Sequence, residues 1–317
     1  MRRVRQQLDE VDRQLCELLF EDPRASKRAL AAAVGVTDET VAARLRRLRE
    51  DNVLSTTVAI DWEAAGYGAG AIARLRLDRR AAAEVASELA RADGAYFVAA
   101  TTGCCDVVLA LLATDLQAMR SKLDELVNQI KGLRSAVVDV VTETPRHALR
   151  TLTLPMPAWS PAFLPAPVIE LDDLDHRLIE RLATSGDESN RELARRLEVS
   201  DGTVRARIRR LEDAGLLRVV AGVDPIATGD LRATALVFLT LERSDAADAL
   251  ISSPGVLSAY RCLGSADLAL LLGSRREHSL DAFILGEVRG TAGVRAIEVA
   301  HLVEVFAHQN LLVRLVG

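Results

Sequence analysis

Apolar residues recur every three or four positions through Leu8, Val11, Leu15, Leu18 and Leu19, which predicts an amphipathic first helix over 8–21. A second short helix, SKRALAAAV, is expected to stop at Gly35. Thr37 then reads as the N-cap of a third helix running from about Asp38 to Asp51, with Asp38 and Glu39 suited to its positive end. Val41, Leu45 and Leu48 mark its inner face.

After about 50 residues the period changes. Short β-type runs over 71–77, 95–101, 106–112 and 135–141 alternate with helical stretches over 79–91 and 116–130. The order is strand, helix, strand, strand, helix, strand, the ferredoxin-like βαββαβ pattern. An antiparallel sheet with both helices on one face leaves its other face uncovered, and a second sheet is the expected cover.

The pattern is then repeated. Displacing the chain by 163 residues aligns LDEVD (8–12) with LDDLD (171–175), and VTDETVAARLRRL (36–48) with VSDGTVRARIRRL (199–211); 12 of 26 positions are identical between 29–54 and 192–217. The β-type runs return over 233–241, 255–263, 267–273 and 294–306, with helices at 245–252 and near 278–288. Between the copies, TLTLPMPAWSPAFLPAPVIE holds five of the nine prolines and reads as a semi-extended linker whose Trp159 and Phe163 lie along a neighbouring surface.

The expected fold class is therefore α+β, as two tandem copies of an N-terminal winged helix-turn-helix followed by a ferredoxin-like domain. The divisions are helix-turn-helix I over 1–55, ferredoxin-like domain I over 56–150, the proline-rich linker over 151–170, helix-turn-helix II over 171–219 and ferredoxin-like domain II over 220–317. A length of 317 residues accommodates these units.

Composition narrows the chemistry. With 49% apolar residues and a net charge of -5 the molecule is no polycation, so any nucleic-acid contact must come from a local basic face. The longest apolar run, VVLALLA over 107–113, is far short of a membrane span, and MRRVRQQLDEVD lacks the apolar segment of a secretory signal; a cytoplasmic location without membrane contact is expected. Cys16, Cys104, Cys105 and Cys262 show no metal-ligand spacing, and Cys104 and Cys105 read as small buried strand residues. No Walker loop, dinucleotide turn or nucleophile triad occurs; Gly66, Gly68 and Gly70 precede a strand, the reverse of a phosphate-binding context, so no cofactor, metal or catalytic residue is assigned.

A basic face does occur. On the third helix of copy one, opposite the apolar side, stand Glu39, Ala43, Arg46 and Glu50 flanked by Thr40, Ala42 and Arg47; copy two presents Gly202, Ala206, Arg209 and Asp213 flanked by Thr203, Arg205 and Arg210. Small residues at the start of a helix allow approach to base edges, and arginines one and two turns on can take guanine or phosphate. Thr40, Ala43, Arg46, Arg47, Thr203, Arg205, Ala206, Arg209 and Arg210 are the candidate contacts to double-stranded DNA. The plainer alternative is a solvated, charge-balanced helix. Because Glu39 and Ala42 stand where copy two has Gly202 and Arg205, the two heads are expected to prefer different half-sites, copy two binding more tightly.

These residues resemble the Lrp/AsnC, or feast/famine, transcription regulators. The likeness covers both copies: LDxxD, the recognition-helix segment, and G-x-x-D before the third strand of the βαββαβ unit, here GCCD (103–106) and GSAD (264–267). It implies a sequence-specific regulator whose sheet domains pair and bind a small effector, often an amino acid, with Thr101, Thr102, Gly103, Asp106, Gly264 and Asp267 as effector candidates. An aromatic residue commonly precedes the aspartate in this family, whereas Cys105 and Ala266 stand there in this chain. Two fused protomers imply an intramolecular pseudo-dimer, with further homo-oligomerisation expected.

Two other readings stay open. Siroheme decarboxylases are similar in architecture, but none of His147, His176, His278, His301 and His308 adjoins GCCD or GSAD. His301 and His308 read as edge or surface histidines on opposite faces of the last strand. An architectural protein that compacts DNA without an effector fits the same pattern.

Overall fold

A computed structural model describes residues 8–147, 164–224, 228, 231–275, 277–308 and 311–315. Trp159 and Phe163 lie outside the described residues; the linker's described end does pack, with Leu164 buried and the amides of Ala166 and Val168 donating to Ala65 and Ala64.

Each copy opens with three helices whose ends follow from their caps. In copy one α1 (Glu10–Glu21) begins in a reciprocal capping box between Asp9 and Asp12, α2 (Lys27–Val34) ends at Gly35 in the left-handed region, and α3 (Asp38–Glu50) is capped by Thr37. Strand β1 (Leu54–Asp61) follows, and then a βαββαβ unit: β2 (Ala69–Leu77), α4 (Ala82–Leu89), β3 (Ala95–Gly103), β4 (Val107–Ala113), α5 (Leu116–Gln129) and β5 (Leu133–His147).

Copy two repeats this as α6 (Asp173–Ser185), α7 (Asn190–Leu197), α8 (Asp201–Asp213), β6 (Leu217–Val223), β7 (Ala233–Leu241), α9 (Asp248–Ile251), β8 (Val256–Leu263), β9 (Leu268–Ser274), α10 (Glu277–Phe283), β10 (Val294–His308) and a short β11 (Leu312–Val313). A π-helical turn, Ile284–Val288, continues α10. Glu198 holds the left-handed position that Gly35 holds in copy one.

Strands β1 and β6 lie where the sequence pattern marked only a domain boundary. They pair with each other across the copies, Leu54 opposite Val223 through Ile60 opposite Leu217, and β11 adds to β1 in parallel. Divisions at 55/56 and 219/220 therefore cut continuous strands. Each helical unit rests on the other copy's strand: Leu15 and Leu19 of α1 share a core with Ala221, and Leu178, Ile179 and Leu182 of α6 share one with Val58 and Ile60. Ala183 accepts a buried hydrogen bond from the Thr57 hydroxyl.

Within each βαββαβ unit the strand order is β3-β4-β2-β5 and β8-β9-β7-β10, all antiparallel. The two sheets do not stop at a face-to-face stack. Strand β10 pairs with β3, and β5 with β8, so eight strands close into one barrel without a free edge. Helices α4 and α5 cover its outside in copy one through Val85, Leu89 and Met119, and α9 and α10 do so in copy two through Leu250 and Leu280. The inside is a joint core from both copies, including Ile72, Val108, Leu236, Phe238 and Ala269.

Candidate functional site

The arginine-bearing helices divide by partner. The Nη1 of Arg44 donates to Asp9 at 2.6 Å and to Asp12 at 2.9 Å, and the Nη2 of Arg47 donates to Asp12 at 2.5 Å. Copy two repeats the lattice, with Arg207 on Asp172 at 2.6 Å and Asp175 at 2.9 Å, and Arg210 on Asp175. Asp12 and Asp175 are buried, and these guanidinium groups and the capping box compensate them. The LDxxD motif is thus the clamp that holds the third helix to the first. Arg44 and Arg207 had no role in the sequence reading, although the spacing of 35 residues from each to its aspartate recurs in both copies.

The backbone amide of Asp175 and the guanidinium of Arg207 hold the Asp172 carboxyl down to about 2; Arg44 and the amide of Asp12 lower that of Asp9. The uniform outward projection expected of the arginines therefore needs correction for two of them. Arg47 and Arg210 are half-exposed, but each is turned toward a buried aspartate.

Arg46 and Arg209 differ: both are exposed and carry no ion pair among the described residues. Thr40 and Thr203 engage their caps, Thr37 at 3.0 Å and Ser200 at 2.8 Å between hydroxyl oxygens, and Ala43 and Ala206 are exposed beside them. Arg205 reaches Asp201 one turn back at 2.5 Å, but 71% of its side chain is exposed, and such a pair holds it weakly. Each copy thus presents a capped helix with a small-residue start and one free guanidinium one turn further on.

The two G-x-x-D turns are built differently from the expected pocket. The Asp106 carboxylate accepts the Leu77 amide at 2.8 Å and that of Asp267 accepts Leu241 at 2.7 Å, each tying the turn to the end of a neighbouring strand. The buried Thr101 hydroxyl donates to the Cys105 carbonyl, while Thr102 is exposed. A Cβ on Gly103, at φ +111°, would lie 2.3 Å from the Val299 carbonyl, and one on Gly264 would lie 2.4 Å from Asp139. The first turn docks on β10 and the second on β5, each the last strand of the other copy's βαββαβ unit. Cys104 and Cys105 sit in the turn and not in a strand, Cys105 buried.

None of these six effector candidates lines the large cavity, of about 740 Å³, inside the barrel toward the three-stranded sheet. Its wall joins Trp62, Tyr67, Tyr96 and Phe97 of copy one to Leu236 and Tyr260 of copy two. His147 and His308, the last residues of β5 and β10, both face it. His147 Nε2 is 3.1 Å from the Tyr96 hydroxyl, and His308 stacks edge-on against Phe97 with ring centres 5.5 Å apart. Burial pushes His147 down to about 4; burial and the neighbouring His147 push His308 down to about 3. His301 lies on the opposite face, 3.9 Å from Asp281, as the strand alternation required, but His308 is no surface histidine. The cavity escaped the sequence reading because its wall is assembled from both copies.

Among the described residues no cluster of ligating side chains could hold a metal ion, and no helix is long and apolar enough to cross a membrane.

Comparison with known proteins bears on the helical units first. A profile of the AsnC-type helix-turn-helix domain matches residues 8–49, and one described as winged helix-turn-helix DNA-binding matches 171–218. The HTH-type transcriptional regulator FL11 of Pyrococcus horikoshii is 31% identical over 142 residues, which are 44% of this chain and 93% of that protein. The HTH-type transcriptional regulator LrpA of Mycobacterium tuberculosis is 33% identical over 129 residues, 39% of this chain and 85% of that one. In fold, the crystal structure of the siroheme decarboxylase NirDL matches 95% of this chain and 93% of its own with a TM-score of 0.65 at 17% identity, a likeness of architecture. Two helix-turn-helix matches in one chain, and relatives nearly all of whose length is covered by less than half of it, identify the protein as a member of the Lrp/AsnC family of transcription regulators carrying two family units in tandem.

Proposed function

We propose that the chain is a sequence-specific DNA-binding regulator that carries both half-site readers of a dimer in one polypeptide, α3 and α8. The observation that carries this is the pair of exposed guanidinium groups, Arg46 and Arg209, without an ion pair among the described residues and at the same position of two capped helices. Thr40, Ala43, Thr203 and Ala206 allow close approach to base edges, and Arg205 adds a contact in copy two alone. Arg47 and Arg210 are secondary phosphate contacts that the aspartate clamp orients. Glu39 disfavours phosphate, so copy two is the tighter reader and the operator an imperfect palindrome.

The test is binding of Arg46→Ala and Arg209→Ala to the protein's own promoter region across a salt series. Each variant should bind about tenfold more weakly, with the salt slope flattened by about 0.9 for a lost phosphate contact. Melting temperature should not move, because neither side chain has an ion-pair partner among the described residues. Unchanged affinity and slope in both variants would overturn the assignment. Footprinting confined to one or two promoters supports regulation, and coating of any fragment supports compaction.

A small effector belongs to this reading, with an amino acid as the family's usual class and the turns at Thr101, Thr102, Gly103 and Asp106, and at Gly264 and Asp267, as its sequence-level candidates. The hydrogen bonds that already engage Asp106 and Asp267 argue for a structural role of those carboxylates. Thermal-shift screening against amino acids is the direct check, since a ligand of the folded state raises its melting temperature.

The full-length fold likeness also keeps a siroheme decarboxylase-like enzyme as a second reading. A tetrapyrrole with many carboxylates needs cationic walls, and the described lining of the barrel cavity has one arginine, Arg232, against three glutamates. That imbalance favours the regulator. A tetrapyrrole absorbance band retained by purified protein would reverse the preference.

A further inference from the structure

The barrel cavity has a chemistry of its own. Its volume of about 740 Å³ falls among sites for drug-sized molecules, roughly 300–1,000 Å³, and a single amino acid would leave most of it empty. Aromatic rings from both copies form its walls, with Trp62 and Tyr96 edge to face at 5.7 Å.

Among the described residues, two polar atoms on this wall are buried without a hydrogen-bond partner, the Thr144 Oγ1 and the His147 Nδ1. Thr144 is 5% exposed. Unsatisfied buried polar atoms are costly, on the order of 1–3 kcal/mol each, so their recurrence on one cavity wall points to a ligand that meets them. The neighbouring Tyr96 hydroxyl occupies His147 Nε2, leaving Nδ1 to face that ligand.

Charge selects the ligand's sign. Glu63 is held by Arg314 at 2.8 Å and Glu143 by Arg261 at 3.2 Å, whereas Glu304, at a bulge of β10, has no ion pair among the described residues. Both histidines of the wall are neutral at pH 7, so they supply no counter-charge to an anion. Arg232 is the one guanidinium on the described lining. Arg232 balances Glu304 in net charge, so the preference comes from the aromatic faces, which attract a delocalised cation, with Glu304 as the carboxylate left to meet it.

We propose that this cavity is a ligand site for a planar, polycyclic aromatic cation, seated among Trp62, Tyr96 and Tyr260, with Glu304 as counter-ion and Thr144 and His147 as its hydrogen-bonding partners. The site lies in the barrel and not on α3 or α8, so it stands or falls separately from the DNA-binding reading.

The test uses two xanthene dyes of opposite charge, rhodamine 6G and fluorescein, titrated with the full-length protein in the absence of DNA and followed by fluorescence anisotropy. Rhodamine 6G should bind at least tenfold more tightly than fluorescein and raise the melting temperature. Glu304→Gln should weaken rhodamine binding about fivefold, and the near-isosteric Thr144→Val should weaken it severalfold, with promoter binding unchanged in both. Equal or tighter binding of fluorescein, no anisotropy change with either dye at about 100 µM, or rhodamine affinity untouched by both substitutions would each overturn the proposal. Loss of promoter binding in Arg209→Ala leaves the dye titration unaffected, so the two claims fail independently.

Discussion

Arg74 and Phe238 occupy the same position in the two copies, the sixth residue of the nine-residue strands β2 and β7, and the Arg74 guanidinium carbon lies 4.2 Å from the centre of the Phe238 ring. In a dimer of identical chains, equivalent residues meeting in this way would be two arginines or two phenylalanines. Fusion of the copies lets one side become the cation and the other its aromatic partner. The Arg74 side chain also pairs with Asp139 at 2.8 Å and with Glu298, and Asp139 accepts the amides of Ser265 and Ala266 from the GSAD turn. This buried cluster therefore ties β2 and β5 of copy one to β10 and the GSAD turn of copy two.

Removing one half of that pair should be expensive. Asp139 is fully buried, and Arg74→Ala leaves its charge uncompensated, a loss of about 3–5 kcal/mol by urea unfolding. Arg74→Met combined with Asp139→Asn keeps the acceptor for the two amides without the charge and should recover at least half of it. A loss below about 1 kcal/mol in Arg74→Ala would show that the amides of Ser265 and Ala266 with solvent, not Arg74, compensate Asp139.

The two helical units are tied directly to each other. The Arg24 Nη2 donates to the Glu188 carbonyl at 2.9 Å and to the Asn190 side chain at 2.6 Å, and Arg49 pairs with Asp187 at 3.2 Å. A fixed distance between two reading heads appears on DNA as a preferred half-site spacing, and displacement by about half a helical turn, ~5 bp, puts one half-site on the wrong face. Combined Arg24→Ala and Arg49→Ala should narrow the affinity gap between the native spacing and one lengthened by ~5 bp, chiefly by weakening binding to the native site. An unchanged gap would assign the spacing to the β1–β6 pairing alone.

Acid should unfold this protein through its cavity wall. His147 and His308 have folded-state values of about 4 and about 3, below the ~6.5 of an unfolded chain, so the unfolded state binds more protons in this window. Stability is complete above pH ~6.5 and falls as the pH drops toward 4, by on the order of 1 kcal/mol per pH unit for each histidine. Asp172, at about 2, keeps its clamp ionised throughout this range. Urea midpoints measured between pH 7.5 and 5 should decline in the wild type and flatten in His147→Gln with His308→Gln; a flat wild-type profile contradicts the burial of these rings.

Much of the helical architecture was legible because caps and apolar spacing are local. Thr37 and Ser200 start α3 and α8 where the pattern placed them, and Val41, Leu45 and Leu48 are buried with their counterparts Val204, Ile208 and Leu211. The strands β1 and β6 were not legible. LSTTVAID and LRVVAGV satisfy their backbones on each other across more than 150 residues, and no local period marks such a pairing. The arginines of α3 and α8 were legible as a set but not as individuals, since Arg46 and Arg47 differ in which one meets a buried aspartate of α1.

By itself the sequence determined the duplication, the helical units with their capped third helices, and the alternation that builds each βαββαβ unit, because each of these is written in neighbouring residues. The tertiary structure decided which arginines remain free, that two sheets become one closed barrel, and that His147, Thr144, Trp62 and Tyr260 share a cavity wall. Those outcomes depend on which surfaces of the two copies meet, and contact between residues far apart in the chain is an energetic result of packing that no local pattern carries.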